Sequence, residues 1–146
     1  MTLDIILPIY RNVDMVRACL DSLVRNLDEI RDHNPRLIAI NDSPDDQAVD
    51  AYLRQCHAEG LIDVHIRNPE NLGFVRSVNK GLAMARRDRR AALLVNSDTL
   101  TYPGTLSEML AVLHADPQIG FVCPRSNNAA LATFPPAPHN LSGIAT

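Results

Sequence analysis

A three-layer α/β/α sandwich on a mainly parallel sheet is the fold this sequence predicts. Short apolar runs alternate with segments whose apolar residues recur every three or four positions. Apolar strands separated by helices argue for a parallel sheet covered on both faces. Polar residues also gather just after several of the runs. Right-handed crossovers place all those strand ends on one edge, where such sheets bind ligands, near a reversal of strand order.

The first strand is residues 3–7, stopped by Pro8. Asn12 is a candidate N-cap for a helix whose face is Val13, Val16, Leu20, Leu23, Leu27 and Ile30, ended by Asn34-Pro35. Residues 37–40 form the second strand. Ser43-Pro44 reads as N-cap and first-turn proline of a second helix, with Val49, Tyr52, Leu53 and Cys56 inward and Gly60 as its stop. Residues 61–66 are the third strand. A turn-rich loop then leads into a helix from Phe74 to Arg87, with Val75, Val78, Leu82 and Ala85 as its apolar side. Residues 91–95 are the fourth strand, 106–115 a helix and 119–123 a fifth strand. The expected domain is 1–125, followed by an irregular Pro-rich segment, 126–146.

The 146 residues suit one core, and 46% hydrophobic with 21% charged residues is an ordinary globular mix. A net charge of −3 without a basic stripe argues against nucleic acid as a partner. Arg86, Arg87, Arg89 and Arg90 are expected to compensate a helix dipole. Cys19, Cys56 and Cys123 show no zinc spacing and read as buried free thiols. The five histidines show no ligand spacing and read as surface or helix-end residues. No signal peptide or membrane span is evident. The expected location is the cytoplasm, in solution or at the inner face of the membrane.

Several residues could carry chemistry. Asp98 sits just beyond an apolar strand and could hold Mg²⁺ or Mn²⁺, with diphosphate oxygens completing the shell. It equally suits a turn or cap. Asp42 could accept the N–H of a base, but taken alone a turn role is favoured. Tyr10 could stack on a base, an interaction worth about 1–3 kcal/mol, or be an ordinary half-buried tyrosine. Asn71-Leu72-Gly73 opens a helix carrying Arg76, Asn79 and Gly81, and helix-start N–H groups suit a phosphate. Dinucleotide, P-loop and nucleophile-elbow motifs are absent.

Taken in order, five segments resemble the family-2 glycosyltransferases. They are residues 5–12 with Pro8-Ile9-Tyr10-Arg11-Asn12, residues 18–23, Ile40-Asn41-Asp42-Ser43, the Asn71, Gly73, Asn79 and Gly81 set, and Asn96-Ser97-Asp98-Thr99. The resemblance covers about residues 2–125 and implies the glycosyltransferase A fold. It implies an inverting transfer from a nucleotide-diphospho-sugar, UDP most often, to a hydroxyl of a sugar, glycan or lipid-linked acceptor, as in surface polysaccharide synthesis. Pro8, Ile9, Tyr10, Asn12, Asp42, Asn71, Gly73, Arg76, Asn79, Asn96 and Ser97 would then bind nucleotide, and Asp98 a divalent Mn or Mg. Asn96 and Asn41 stand where the family pattern has acids.

The family's catalytic base lies in a second half, and no acidic residue follows Asp116. The base is therefore expected beyond residue 146, with the chain read as truncated. The alternative is an incomplete or non-catalytic nucleotide-binding module that needs a partner or the missing C-terminal half, and an unfinished sheet edge would also invite a homo-oligomer. Sugar nucleotidyltransferases and phosphoacceptor receivers fit less well, because Ile9-Tyr10 supplies neither a glycine-rich loop nor an acidic pair.

Overall fold

The computed structural model describes residues 1–124. One compact unit spans Met1–Leu106 and a second begins at Ser107. The first is built from β1 (Leu3–Ile9), α1 (Val13–Asn26), β2 (Arg36–Asn41), α2 (Gln47–Ala58), β3 (Val64–Arg67), α3 (Phe74–Arg87) and β4 (Ala91–Leu94). Helix α4 (Thr105–Ala115) falls mostly in the second. No described helix is long and apolar enough to cross a membrane.

The sheet is wholly parallel in the order β3-β2-β1-β4. Each pairing needs a helical crossover. The order runs one way from β1 to β3, then returns across β1 to β4, so the reversal lies between β1 and β4. Helix α1 packs on α2, while α3 packs on β1, β2 and β4. This is the expected α/β/α arrangement.

Every residue of β1 is buried. Ile6, Ile38 and Ile40 form one core face, packed by Val64, Ile66 and Met84. Helix α3 approaches that face closely because Gly81 has no side chain. A Cβ built there would lie 2.5 Å from Cγ2 of Ile6 and 2.9 Å from its Cγ1. The contact face of α3 is consequently Ser77, Val78, Gly81 and Ala85. Val75 and Leu82, expected to face inward, are 68% and 37% exposed. Small residues, not the bulkiest apolar ones, set this helix against the sheet.

Several boundaries differ from the sequence reading. Strand β1 continues through Pro8 to Ile9. The carbonyl of Ile6 accepts from Val95 N–H and that of Ile9 from Asp42 N–H. Pro8 therefore faces the β4 side beyond the last ladder residue, where its missing N–H costs no bond. The first helix ends as α-helix at Asn26 and continues as a 3₁₀ segment, Leu27–His33, with non-helical geometry at Ile30. Asn34 caps it in the left-handed conformation.

Ser43-Pro44 does not start α2. Asp46 is the N-cap, accepting from Ala48 and Val49 N–H at 3.1 Å each, while the Ser43 hydroxyl is used elsewhere. Leu61 and Ile62 cap the end of α2 through the Cys56 carbonyl, so β3 begins only at Val64. Residues 119–123 form no strand, and Phe121 is 81% exposed. An apolar run becomes a strand only where a ladder partner receives its N–H and C=O groups. Cys123 is exposed rather than buried. The expected 126–146 segment and His139 lie outside the described residues.

At the opposite edge of the sheet, Asp4 is fully buried and bound by Arg36 (Nε–Oδ1 2.9 Å, Nη2–Oδ2 2.7 Å) and by Arg90. Arg90 also donates to the carbonyls of Leu3 and Asn34. It thus serves the sheet, whereas Arg86 and Arg87 occupy the last turn of α3 as expected. His65, read as a surface residue, is half-buried in β3, with its ring centroid 6.4 Å from that of His57. Its Nε2 is buried without a hydrogen-bond partner among the described residues.

Gly81→Ala should destabilise the protein by about 1–3 kcal/mol through overpacking, whereas Val75→Ser should change stability by less than about 0.5 kcal/mol. Urea denaturation of both variants checks the assigned face. Burial holds the His65 imidazole below the ordinary histidine range, against a smaller opposing pull from Asp50. Its contribution is present above the unfolded histidine pKa and is lost as pH falls through that value toward the folded one. Between about pH 7 and about pH 5, His65→Leu should therefore lose less stability than the wild type. Parallel pH profiles would place the loss at other groups.

Candidate functional site

The strand reversal leaves a crevice between the C-terminal ends of β1 and β4, and the chain fills its rim with polar groups. The cleft has a volume of ≈ 530 Å³ and is lined by Pro8, Ile9, Tyr10, Arg11, Asn12, Met15, Asp42, Asn71, Gly73, Phe74, Asn96, Ser97 and Asp98.

Its first wall is the turn after β1. Arg11 and Asn12 both adopt left-handed geometry, with φ of 58° and 57°. Successive non-glycine residues in that region are strained and must be held. Ser43 Oγ accepts from Arg11 N–H at 3.0 Å, and Asn12 Oδ1 accepts from Met15 N–H at 3.3 Å as the α1 cap. The sharp reversal presents Tyr10, 50% exposed, at the cleft. The Arg11 guanidinium lies 5.2 Å from the Tyr10 ring centroid and 3.3 Å from Asp45 Oδ2.

The second wall depends on Asp42, which is only 3% exposed. Its Oδ1 accepts from Asn68 Nδ2 at 2.7 Å and Leu72 N–H at 2.8 Å; its Oδ2 accepts from Gly73 N–H at 2.9 Å. Asn68 is itself buried, donates to Ser77 Oγ at 2.9 Å and accepts from Lys80 Nζ at 2.6 Å. This network brings the 68–73 loop against the end of β2. Asn71 Oδ1 tightens it by accepting from Gly73 N–H at 2.9 Å. Gly73 has φ 82° and ψ 162°, which a residue with a Cβ adopts only under strain. Helix α3 starts there with no side-chain cap and no acidic residue in its first turn, so the Asp42 carboxylate on the Gly73 N–H is a negative charge set against its positive end from outside the helix.

Asn41 is fully buried and does not line the cleft. Its Oδ1 accepts from Ser43 N–H at 3.0 Å, and its Nδ2 donates to Asp50 Oδ1 at 3.2 Å. An acid at 41 would face the Asp50 carboxylate, so the amide has a local physical reason.

The third wall is Asn96-Ser97-Asp98-Thr99, a turn closed by Thr99 N–H donating to the Asn96 carbonyl at 3.0 Å. Asp98 is exposed and has no hydrogen bond or ion pair among the described residues. No group of three or more His, Cys, Asp or Glu side chains suited to a metal occurs among the described residues. The cleft does offer hard oxygen donors at this turn, the Asp98 carboxylate above all, and these suit a cation that takes most of its ligands from a diphosphate. Below the turn, burial pushes the Cys19 thiol up to about 11, with the Asp98 charge adding to the rise. At neutral pH it stays a thiol and is no nucleophile.

The model of glycosyl transferase family 2 matches residues 4–139. The chain belongs to that family. Among solved structures similar to it is the crystal structure of S. aureus TarS, at TM-score 0.56 and 16% identity. The match covers 77% of this chain and 19% of TarS, so the chain spans about a fifth of that protein's length. At this identity the likeness speaks for the fold, a glycosyltransferase A arrangement. No curated protein sequence matches significantly.

Within this family-2 fold, Pro8, Ile9, Tyr10, Asn12, Asp42, Asn71, Gly73, Asn96, Ser97 and Asp98 converge on one cleft. Arg76 and Asn79 do not. Arg76 is exposed on α3 outside the lining. Asn79 lines a separate shallow surface with Leu82, Ala83, Arg86 and Arg87. Six residues beyond Gly73, Asn79 lies about 9 Å farther along the helix axis. Sequence reasoning missed Arg11, Met15 and Phe74 in the lining, and the Asn68–Ser77–Lys80 support behind it. Arg11 sits inside the Pro8–Asn12 turn and was legible by position. Nothing local marks Asn68, whose partners are far apart in sequence.

Asp42→Asn keeps one acceptor oxygen but turns an N–H₂ toward a donor, at a cost of about 1–3 kcal/mol. Amide exchange at Leu72 and Gly73 should quicken in this variant while β1 amides remain protected. Unchanged exchange in the loop would remove Asp42 as its anchor.

Proposed function

We propose that this chain forms the donor site of a glycosyltransferase, binding a nucleotide-diphospho-sugar in the cleft between the ends of β1 and β4. The observation carrying the reading is the convergence of three features on one cleft: an exposed ring at Tyr10, the uncapped start of α3 at Gly73, and the exposed carboxylate of Asp98. An aromatic face suits a base, a helix start suits a phosphate, and a lone carboxylate suits a cation shared with a diphosphate.

In this reading Pro8, Ile9 and Tyr10 contact the base and Asn12 holds their turn. Asp42 acts chiefly by fixing Leu72 and Gly73, whose loop lies along the ribose and diphosphate together with Asn71. The geometry favours this over direct base recognition, because both carboxylate oxygens of Asp42 already accept protein N–H groups. Asn96 and Ser97 border the donor, and Asp98 holds Mn²⁺ or Mg²⁺. A bound divalent ion would supply neutralisation of charge on the departing diphosphate. The transfer would invert the anomeric carbon on attack by an acceptor hydroxyl, with UDP as the favoured carrier and a glycan or lipid-linked acceptor in polysaccharide synthesis. The reading gives the role of general base to neither carboxylate of the cleft lining. Its setting would be the cytoplasm or the inner membrane face.

Calorimetric titration with UDP, GDP and dTDP, with and without Mn²⁺, tests this. Metal-dependent binding of one nucleotide is expected, weakened at least about tenfold in Asp98→Ala. A folded sample that binds no nucleotide under any of these conditions would overturn the donor-site reading.

A further inference from the structure

The apolar face of α1 leaves one stripe of this helix unexplained. Cys19, Ser22 and Asn26 are spaced like neighbours on one helical face and are 0%, 7% and 8% exposed. Glu29 continues the spacing into the 3₁₀ segment. Buried polar groups at such positions need partners, and each finds one in the backbone that follows β4.

The bonds run in register along both segments. Cys19 Sγ donates to the Asn96 carbonyl at 3.4 Å. Ser22 Oγ accepts from Thr101 N–H at 3.0 Å and donates to the Cys19 carbonyl at 2.8 Å. Asn26 Nδ2 donates to the Thr101 carbonyl at 3.2 Å and to the Ser22 carbonyl at 2.7 Å. Glu29 Oε1 accepts from Gly104 N–H at 2.7 Å. The 96–104 segment has left the sheet, so it has no ladder to receive its backbone groups. Side chains of α1 take the ladder's place.

We propose that Cys19, Ser22 and Asn26 are positioning residues that hold the Asn96–Thr99 turn, and with it Asp98, at the edge of the cleft. The proposal rests on the donor-site reading. Asp98 makes no bond of its own among the described residues, so its placement comes from the backbone that carries it. That backbone is bonded on both sides of Asp98, at Asn96 by Cys19 and at Thr101 by Ser22 and Asn26. The side chains touch the turn from behind and not the cleft, since none of them lines it. Their effect on a bound cation would be exerted through the position of Asp98.

The test combines hydrogen exchange with UDP titration in Mn²⁺ for the wild type, Ser22→Ala/Asn26→Ala, and Val24→Ala as a helix control off the stripe. Amides of residues 96–104 should exchange about tenfold faster in the double variant, with β1 amides unchanged. The UDP Kd in Mn²⁺ should rise about tenfold, while metal-free UDP binding is unaltered. Wild-type exchange and wild-type Mn²⁺ dependence in a folded double variant would overturn the proposal. If the double variant fails to fold, Cys19→Ala against Cys19→Ser decides, because serine keeps the donor to Asn96. Equal exchange and equal Kd in that pair would count against the stripe, and rescue by serine would support it. A wild type without Mn²⁺-dependent UDP binding would sink the donor-site reading itself. The exchange arm would still report whether the stripe holds the turn.

Discussion

The cleft depends on one buried carboxylate. Asp42 sits at the end of β2 with almost no access to water, yet no cationic side chain among the described residues pairs with it. Its charge is met instead by three N–H donors, from Asn68, Leu72 and Gly73. Hydrogen bonds to a charged acceptor are among the stronger ones available to a protein, and losing any of them would leave a buried charge undersatisfied. The geometry of the 68–73 loop is therefore tightly determined. Since α3 begins immediately after Gly73, the same bonds decide where its positive end points.

A second constraint lies deeper. Strand order reverses beside β1, so the chain must cross the sheet between β3 and β4, and α3 makes that crossing. Gly81 lets its backbone settle directly on Ile6. The start of α3 and the end of β4 are thus both referred to the central strand, as is the Tyr10–Asn12 turn that continues it. Three walls built from separate stretches of sequence share one reference, which is how a short chain can hold a precise cleft on a small core.

Polar side chains do much of this local work where regular ladders stop. Asn41 links Ser43 to Asp50, Ser43 supports the strained Arg11, Asn68 joins Asp42 to Lys80, and the α1 stripe meets the segment after β4. Each of these groups is buried or partly buried, so each must be paired. The pairs fall where the backbone turns away from the sheet toward the cleft. Apart from Asp4, which Arg36 and Arg90 hold at the opposite end of β1, most of the buried polar residues among those described lie behind the site.

The order of strands and helices, the α3 boundaries and most of the cleft lining were legible in the sequence. They follow from local signals: apolar runs, helical periodicity, and turn residues placed just after strands. The resemblance to family-2 glycosyltransferases was legible for the same reason, since its motifs are those turns. What the sequence did not disclose depends on partners remote in the chain. Pro8 stays within a strand because β4 ends two residues earlier in the ladder. Residues 119–123 are apolar but form no strand, since apolarity alone supplies no hydrogen-bonding edge. Val75 and Leu82 face outward because the small side of α3 fits Ile6. Asp42, read locally as a turn residue or a base ligand, becomes a loop anchor only when Asn68 and Gly73 fold back onto it. Local patterns determined which elements form and where they turn; tertiary packing decided which polar atoms satisfy one another, because a buried hydrogen bond is chosen by proximity in space.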